Sequence, residues 1–237
     1  MTEKDIQSLF NNSGMTWWLD SGSLLGLVRD GHFLKQDHDI DIGLLYKENN
    51  PVETLLEEFA TRGFRIVKFY FHGNLFKLKC VPTSKEVFKY ILDIQLYKQH
   101  KEEIICPQMV FKTGLSLLNR VRREIIRIKK SNKEDYVGNR FSVKVKRVLS
   151  GILSKRNIAL NYDNAHSELY DYYYWKIPIV YLESLKTING YCAFEKAEAY
   201  LAYRYGEWRI PVTGWVFTRD DHALEKTSYS ELLSLFC

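Results

Sequence analysis

One carboxylate set in an apolar run constrains this chain more than any other feature. The segment VFKYILDIQLY (Val87–Tyr97) reads as a buried strand, and Asp93 sits inside it between Leu92 and Ile94. Burying an ionised carboxylate is costly unless a metal ion or a cationic side chain pairs it. Any fold this chain adopts must bring such a partner to Asp93. A second acidic strand lies at His38–Leu45 (HDIDIGLL), where Ile40 and Ile42 share one face and Asp39 and Asp41 the other. Aspartates two apart on a strand project the same way, so Asp39 and Asp41 can share or bracket one divalent cation. With Asp93 on a neighbouring strand, the three make a candidate site for Mg²⁺ or Mn²⁺, ions that take oxygen ligands and keep water and phosphate in their shell.

Upstream, Met15–Leu19 reads as a short strand, Asp20-Ser21-Gly22-Ser23 as a turn, and Leu24–Arg29 as a helix ended by Asp30-Gly31. A strand that turns into a helix at Gly22-Ser23 presents free backbone N–H groups, a natural phosphate cradle. Glycine permits the close backbone approach and serine adds a hydroxyl. Arg29 is a candidate for a phosphate contact or for capping the helix carbonyls. Lys77 and Lys79 alternate on a strand, so both reach one face, where they meet donor phosphates or solvent. Singly, each feature has an ordinary reading: a turn with a helix cap, or a solvated strand face. Gly22-Ser23, a DxD some sixteen residues on and a third aspartate in an apolar strand together point to metal-dependent phosphate chemistry, and their layout resembles the polymerase-β-like nucleotidyltransferase core.

The surrounding pattern is α+β. Helices are expected over 3–11, 51–62 and 194–205, with strands at Phe64–Phe71, Leu75–Val81 and Val87–Tyr97. The 237 residues fit one domain or a core with an elaboration. The expected division is a catalytic core over 1–110, a mixed sheet with flanking helices, and an α-rich region over 111–237 that completes the cleft and contacts the acceptor. An aromatic share of 14% suits either a packed aromatic core or a cleft that stacks flat ligands.

Charge is uneven. Between Lys112 and Arg156 stand 14 Lys or Arg residues against Glu124, Glu134 and Asp135, in a chain whose net charge is +5. The stretch KTGLSLLNRVRREIIRIKK (112–130) is basic and amphipathic, and reads as a helix that contacts an anionic membrane or acidic polymer, or that faces the core with a wet basic side. No nucleic-acid motif accompanies the charge, so nucleic acid is not an expected partner. Cys80, Cys106, Cys192 and Cys237 stand far apart without zinc spacing, as in reduced, mostly buried thiols. The opening MTEKDIQSLF lacks the apolar segment of a signal peptide, and no run approaches a membrane span, so the expected location is cytoplasmic, with peripheral contact at the inner face of the membrane.

The segment WWLDSGSLLGLVRDGHFLKQDHDIDIGLL resembles the opening signature of the LicD and fukutin-related phosphotransferases, with Gly22, Ser23, Leu24, Leu25, Gly26, Arg29, Gly31, Phe33, Asp37, Asp39, Ile40, Asp41 and Ile42 at matching places. Ser23 stands where threonine is commoner, and His38 where aspartate often is. The later AEAYLAYRYGEWRIP (Ala197–Pro211) resembles the family's YLxxxYGxxWxxP element, whereas the resemblance does not place 98–189. The resemblance implies transfer of a phospho-alcohol (ribitol phosphate, glycerol phosphate or phosphocholine) from a CDP-activated donor to a hydroxyl on a glycan or lipid-linked glycan, in cell-surface polysaccharide biosynthesis. Asp39 and Asp41 are then expected to hold one or two ions on the donor diphosphate. Asp93 is expected to bind the second ion and to help deprotonate the acceptor. Trp208 and Arg209 are candidates to close over the cleft. A nucleotidyltransferase moving NMP from an NTP uses the same carboxylates and stays open, as does a non-catalytic scaffold of the same fold.

Overall fold

The computed structural model of the protein describes residues 1–47, 51–116, 119, 158–162 and 168–237. Most of the basic helix expected over 112–130 lies outside them. Helix α1 (Glu3–Asn12) starts in a capping box between Thr2 and Asp5 and buries Ile6 and Phe10, four residues apart. Strand β1 (Trp17–Leu19) leads into α2 (Ser21–Asp30), which begins at the N-cap Asp20 and stops at Gly31, whose φ of 76° is the left-handed conformation that ends helices. Then come β2 (Asp39–Leu45), α3 (Val52–Thr61), β3 (Phe64–Phe71) and β4 (Asn74–Pro82). His72 and Gly73 both take positive φ, as the tight turn of this hairpin requires. Strand β5 (Ile91–His100) starts four residues later than the sequence suggests, because Val87 and Phe88 turn back to donate to the Ser84 carbonyl.

Strand β6 (Glu103–Phe111) straddles the division expected after residue 110. Beyond it lie β7 (Ile158–Tyr162), β8 (Tyr170–Pro178), β9 (Leu185–Ile188), β10 (Tyr191–Phe194), α4 (Ala197–Tyr205), α5 (Phe217–Asp220), β11 (Leu224–Thr227) and α6 (Tyr229–Phe236). The second half was expected to be α-rich, yet its described residues hold strands as well as helices. The reason is local: YDYYYWKIP is rich in aromatic side chains, which favour strands, and its burial alternates over much of its length, as in a half-buried strand.

A mixed nine-stranded sheet runs in the order β11-β8-β6-β5-β4-β3-β7, with β2 joined to β5 and β1 joined to β2. Two registers place the site. Strand β2 runs parallel to β5 with Asp41 opposite Asp93, and β4 runs antiparallel on the other side with Lys79 opposite Asp93. The opposite face of β2 buries Ile40, Ile42 and Leu44 in the main core. Aromatic side chains fill much of that core and tie the two halves together: Trp18 packs on both Tyr97 and Phe194, and Phe194 packs on Tyr200 at 4.5 Å between centroids. The C-terminal part of the chain is thus continuous with the sheet that carries the carboxylates.

Candidate active site

The start of α2 is fastened directly to the acidic strand. The Ser23 hydroxyl accepts the Asp41 backbone N–H at 2.8 Å, and the Asp20 N–H donates to the Asp41 carbonyl at 3.0 Å. Ser23 is buried and does not line the cleft; its part is to hold β2 against the helix. Ser21 and Gly22 reach the cleft instead. A Cβ on Gly22 would lie 3.0 Å from Asp37 Oδ2 and 3.6 Å from Asp41 Oδ2, so glycine keeps the backbone close to the acidic floor. Ser21 has φ 47°, a strained value for a non-glycine residue, and its N–H is held by the Asp20 carboxylate at 2.7 Å.

Asp39, Asp41 and Asp93 offer oxygens that all lie within 4.8 Å of one another. The pattern of two strands thus becomes one three-carboxylate cluster, a donor set of hard oxygens that suits Mg²⁺ or Mn²⁺. The cluster is not electrostatically uniform. Burial and the neighbouring Asp39, Asp93 and Asp20 charges push Asp41 well above the usual carboxylate range. Asp39 is raised by burial and by Asp93, partly offset by Lys79 and Lys77. Asp93 goes the other way. Burial alone would raise it, but Lys77 and Lys79 more than compensate and hold it below the usual value. Lys77 Nζ lies 2.7 Å from Asp93 Oδ1 and Lys79 Nζ 2.9 Å from Oδ2, and Gln95 Nε2 donates to Oδ1 at 3.0 Å. A carboxylate neutralised in this way is a weak proton acceptor, which bears against the expected use of Asp93 as a base.

These groups form the floor of a cleft of about 710 Å³. Its walls come from Ser21, Gly22 and Arg29 of α2, from Asp37, and from residues far along the chain: Gln108, Trp175, Arg204, Tyr205 and Trp208. Arg29 lines the cleft while bonded to Asp30 through two nitrogens at 2.9 Å. Trp208 is buried in the wall and Arg209 stacks on its ring at 4.3 Å. At the rim Ile210, Val212, Trp215 and Phe217 are exposed, an apolar lip above an acidic floor. His38, just before β2, is exposed and does not line the cleft.

Sequence reasoning missed a second polar cluster, set in the cleft wall. Arg204, 1% exposed, donates to Asp20 Oδ1 from Nη1 at 2.8 Å and to Asp221 Oδ2 from Nε at 2.8 Å. Asp20 also accepts the hydroxyls of Tyr97, at 2.7 Å, and Tyr200, and Asp221 accepts Trp175 Nε1 at 3.1 Å. A signal existed for part of it. Asp20 closes the apolar run Trp17-Trp18-Leu19, and Arg204 stands four residues after Tyr200 on the buried face of α4. Nothing near Asp221 marks it as buried.

Residues 14–113 match the model of the LicD/FKTN/FKRP nucleotidyltransferase domain. This stretch is similar to that domain. It contains Gly22, Asp39, Asp41, Lys77 and Asp93, and it ends just after β6. The chain is also similar to two proteins described as uncharacterized. One, from Rickettsia typhi, is 33% identical over 63 residues, covering 27% of this chain and 20% of that protein. The other, from Rickettsia prowazekii, is 30% identical over 91 residues, covering 37% of this chain and 34% of that protein. The chain thus spans about a third or less of the length of these curated relatives. Among the described residues no helix is long and apolar enough to cross a membrane.

Proposed function

We propose that the protein transfers a phospho-alcohol from a CDP-activated donor to a glycan hydroxyl and releases CMP. The observation that carries this reading is the convergence of Asp39, Asp41 and Asp93 beside Lys77 and the start of α2, inside the stretch similar to the LicD/FKTN/FKRP nucleotidyltransferase domain. Asp39, Asp41 and Asp93 would hold Mg²⁺ or Mn²⁺. When bound, such an ion neutralises diphosphate charge and favours the departing phosphate. The chain's own groups do the rest. Gly22 lets the diphosphate approach the α2 backbone, and the Lys77 ammonium and Arg29 guanidinium add fixed positive charge at the cleft wall. The acceptor oxygen forms a bond to the phosphorus distal to cytidine, and the bond from that phosphorus to the bridging oxygen breaks. The acceptor's proton passes to a carboxylate of the cluster, and CMP carries away the electron pair. Positioning and charge stabilisation supply the rate, with no covalent enzyme intermediate needed.

The apolar lip of Ile210, Val212, Trp215 and Phe217 gives the acceptor side a surface for a glycan ring or a lipid-linked acceptor. Nucleotidyl transfer from an NTP needs the same carboxylates and is the rival reading. Isothermal titration with CDP-ribitol, CDP-glycerol, CDP-choline, CTP and ATP, each with Mg²⁺ and with EDTA, separates the two. Metal-dependent binding of one CDP-alcohol above both triphosphates is expected. Preference for a triphosphate would replace this reading with nucleotidyl transfer, and binding of none would favour a scaffold.

A further inference from the structure

Two glutamine amides run from the acidic floor into the cleft wall, and their direction is fixed at one end. Asp93, paired with Lys77 and Lys79, is an ionised carboxylate that only accepts hydrogen bonds. Gln95 must therefore turn its NH₂ towards it, and Nε2 donates to Asp93 Oδ1 at 3.0 Å. Gln95 Oε1 is then left to accept, and Gln108 answers with its own NH₂, Nε2 donating at 3.0 Å. The polarity passes from carboxylate to amide to amide and ends on Gln108 Oε1, a hydrogen-bond acceptor. Gln108 is 9% exposed and lines the cleft, and this oxygen has no partner among the described residues. A carbonyl so placed has lost much of its water, and an N–H or O–H on a ligand restores the missing bond. In the same wall Trp175 and Arg204 are already engaged with Asp221 and Asp20.

We propose that Gln108 Oε1 accepts a hydroxyl of the alcohol carried by the donor, and so selects a polyol such as ribitol or glycerol over choline. The inference rests on the phosphotransfer reading and deepens it. Gln108 stands two hydrogen bonds from Asp93, and the alcohol is joined to the phosphorus that reacts there. The cytosine amino group lies beyond the ribose and a second phosphate. A glycerol or ribitol chain brings free hydroxyls to this oxygen. The trimethylammonium of choline has no N–H or O–H to offer and leaves it unpaired, which is how a buried polar group discriminates against a ligand that lacks its partner.

The test is isothermal titration, with Mg²⁺, of the full chain and of Gln108→Met. The ligands are CDP, CDP-choline, CDP-glycerol, CDP-ribitol and CDP-propanol, the last a glycerol donor without its free hydroxyls. In the wild type one polyol donor is expected to bind about tenfold or more tighter than CDP-propanol and CDP-choline. Gln108→Met should remove that advantage and leave the affinities for CDP and CDP-propanol nearly unchanged, because those ligands offer Oε1 no alcohol hydroxyl. A polyol advantage that survives in Gln108→Met would overturn the inference. An equal loss for CDP and CDP-propanol would also overturn it, by placing the effect at the nucleotide or at Asp93. In the wild type, no polyol donor binding above CDP-propanol, or CDP-choline binding tightest, would do the same; these results need no variant and still decide if Gln108→Met fails to fold. The two failures are distinguishable. Binding of no CDP-alcohol would defeat the phosphotransfer reading and this inference together, whereas a preference for CDP-choline would defeat this inference and leave the reading standing.

Discussion

Asp41 and Asp93 face each other across two strands, and their surroundings push them in opposite directions. Asp41 is raised, so at neutral pH its ionised form costs the metal-free fold stability. That cost disappears as pH falls through the raised value, because the folded state then takes up a proton ahead of the unfolded one. Asp41→Asn should therefore melt at a higher temperature than the wild type in EDTA at pH 7, with the gap closing as pH is lowered towards the ordinary carboxylate range. The same variant should lose several orders of magnitude in transfer rate, since the cluster loses a charged ligand. Asp93 is lowered, and its ion pairs stabilise the fold above the ordinary carboxylate value; that contribution is lost as pH falls through the lowered one. Asp93→Asn should melt lower than the wild type at pH 7, the reverse of Asp41→Asn. Thermal melts of both variants from pH 7 down to about 4, around the ordinary carboxylate pKa, check the two signs together. In the cleft wall, Arg204→Met leaves Asp20 and Asp221 buried without their cation. Urea denaturation should show a loss of about 3–5 kcal/mol, the usual cost of breaking a buried ion pair from one side.

At the scale of elements, the site depends on how closely α2, β1 and β2 approach one another. Ser23→Ala removes the acceptor for the Asp41 N–H and should cost about 1–3 kcal/mol, read as a shift in the denaturation midpoint. Gly43 shows the same closeness on the strand itself. A Cβ there would fall 2.2 Å from Cε2 of the Trp18 indole, so the ring lies flush on the β2 backbone. Gly43→Ala must displace that ring, with an expected cost of about 1–3 kcal/mol and a change in Trp fluorescence. The motif glycines thus have two distinct uses: Gly22 opens the backbone to the cleft, and Gly43 makes room for the core. The β3–β4 hairpin contributes the cations, because its register sets Lys79 opposite Asp93 and leaves Lys77 two residues along on the same face.

Over the whole molecule the LicD-family match ends at residue 113, but the cleft does not. Arg204, Tyr205, Trp208 and the apolar lip come from the last forty residues, and Arg204 neutralises Asp20 at the N-cap of α2. A fragment of residues 1–113 should fail to unfold cooperatively in circular dichroism melts, because Asp20 would be buried without its cation and β6 would lose β8. The sequence by itself determined the acidic faces. Period-2 alternation around Asp39 and Asp41, and an aspartate set among Leu92 and Ile94, are local facts that survive any packing, and the Gly22 turn is equally local. It also carried most element positions in the first hundred residues, where apolar periodicity and turn residues agree. The strand character of Tyr170–Pro178 was missed, since an aromatic run without clear turn signals says little about which sheet it joins. Tertiary structure alone decided who neutralises whom. Lys77 and Lys79 meet Asp93, and Arg204 meets Asp20 across 184 residues of chain, because electrostatic pairing depends on distances in space. Those distances are set by strand order and helix docking, which the order of residues along the chain does not show.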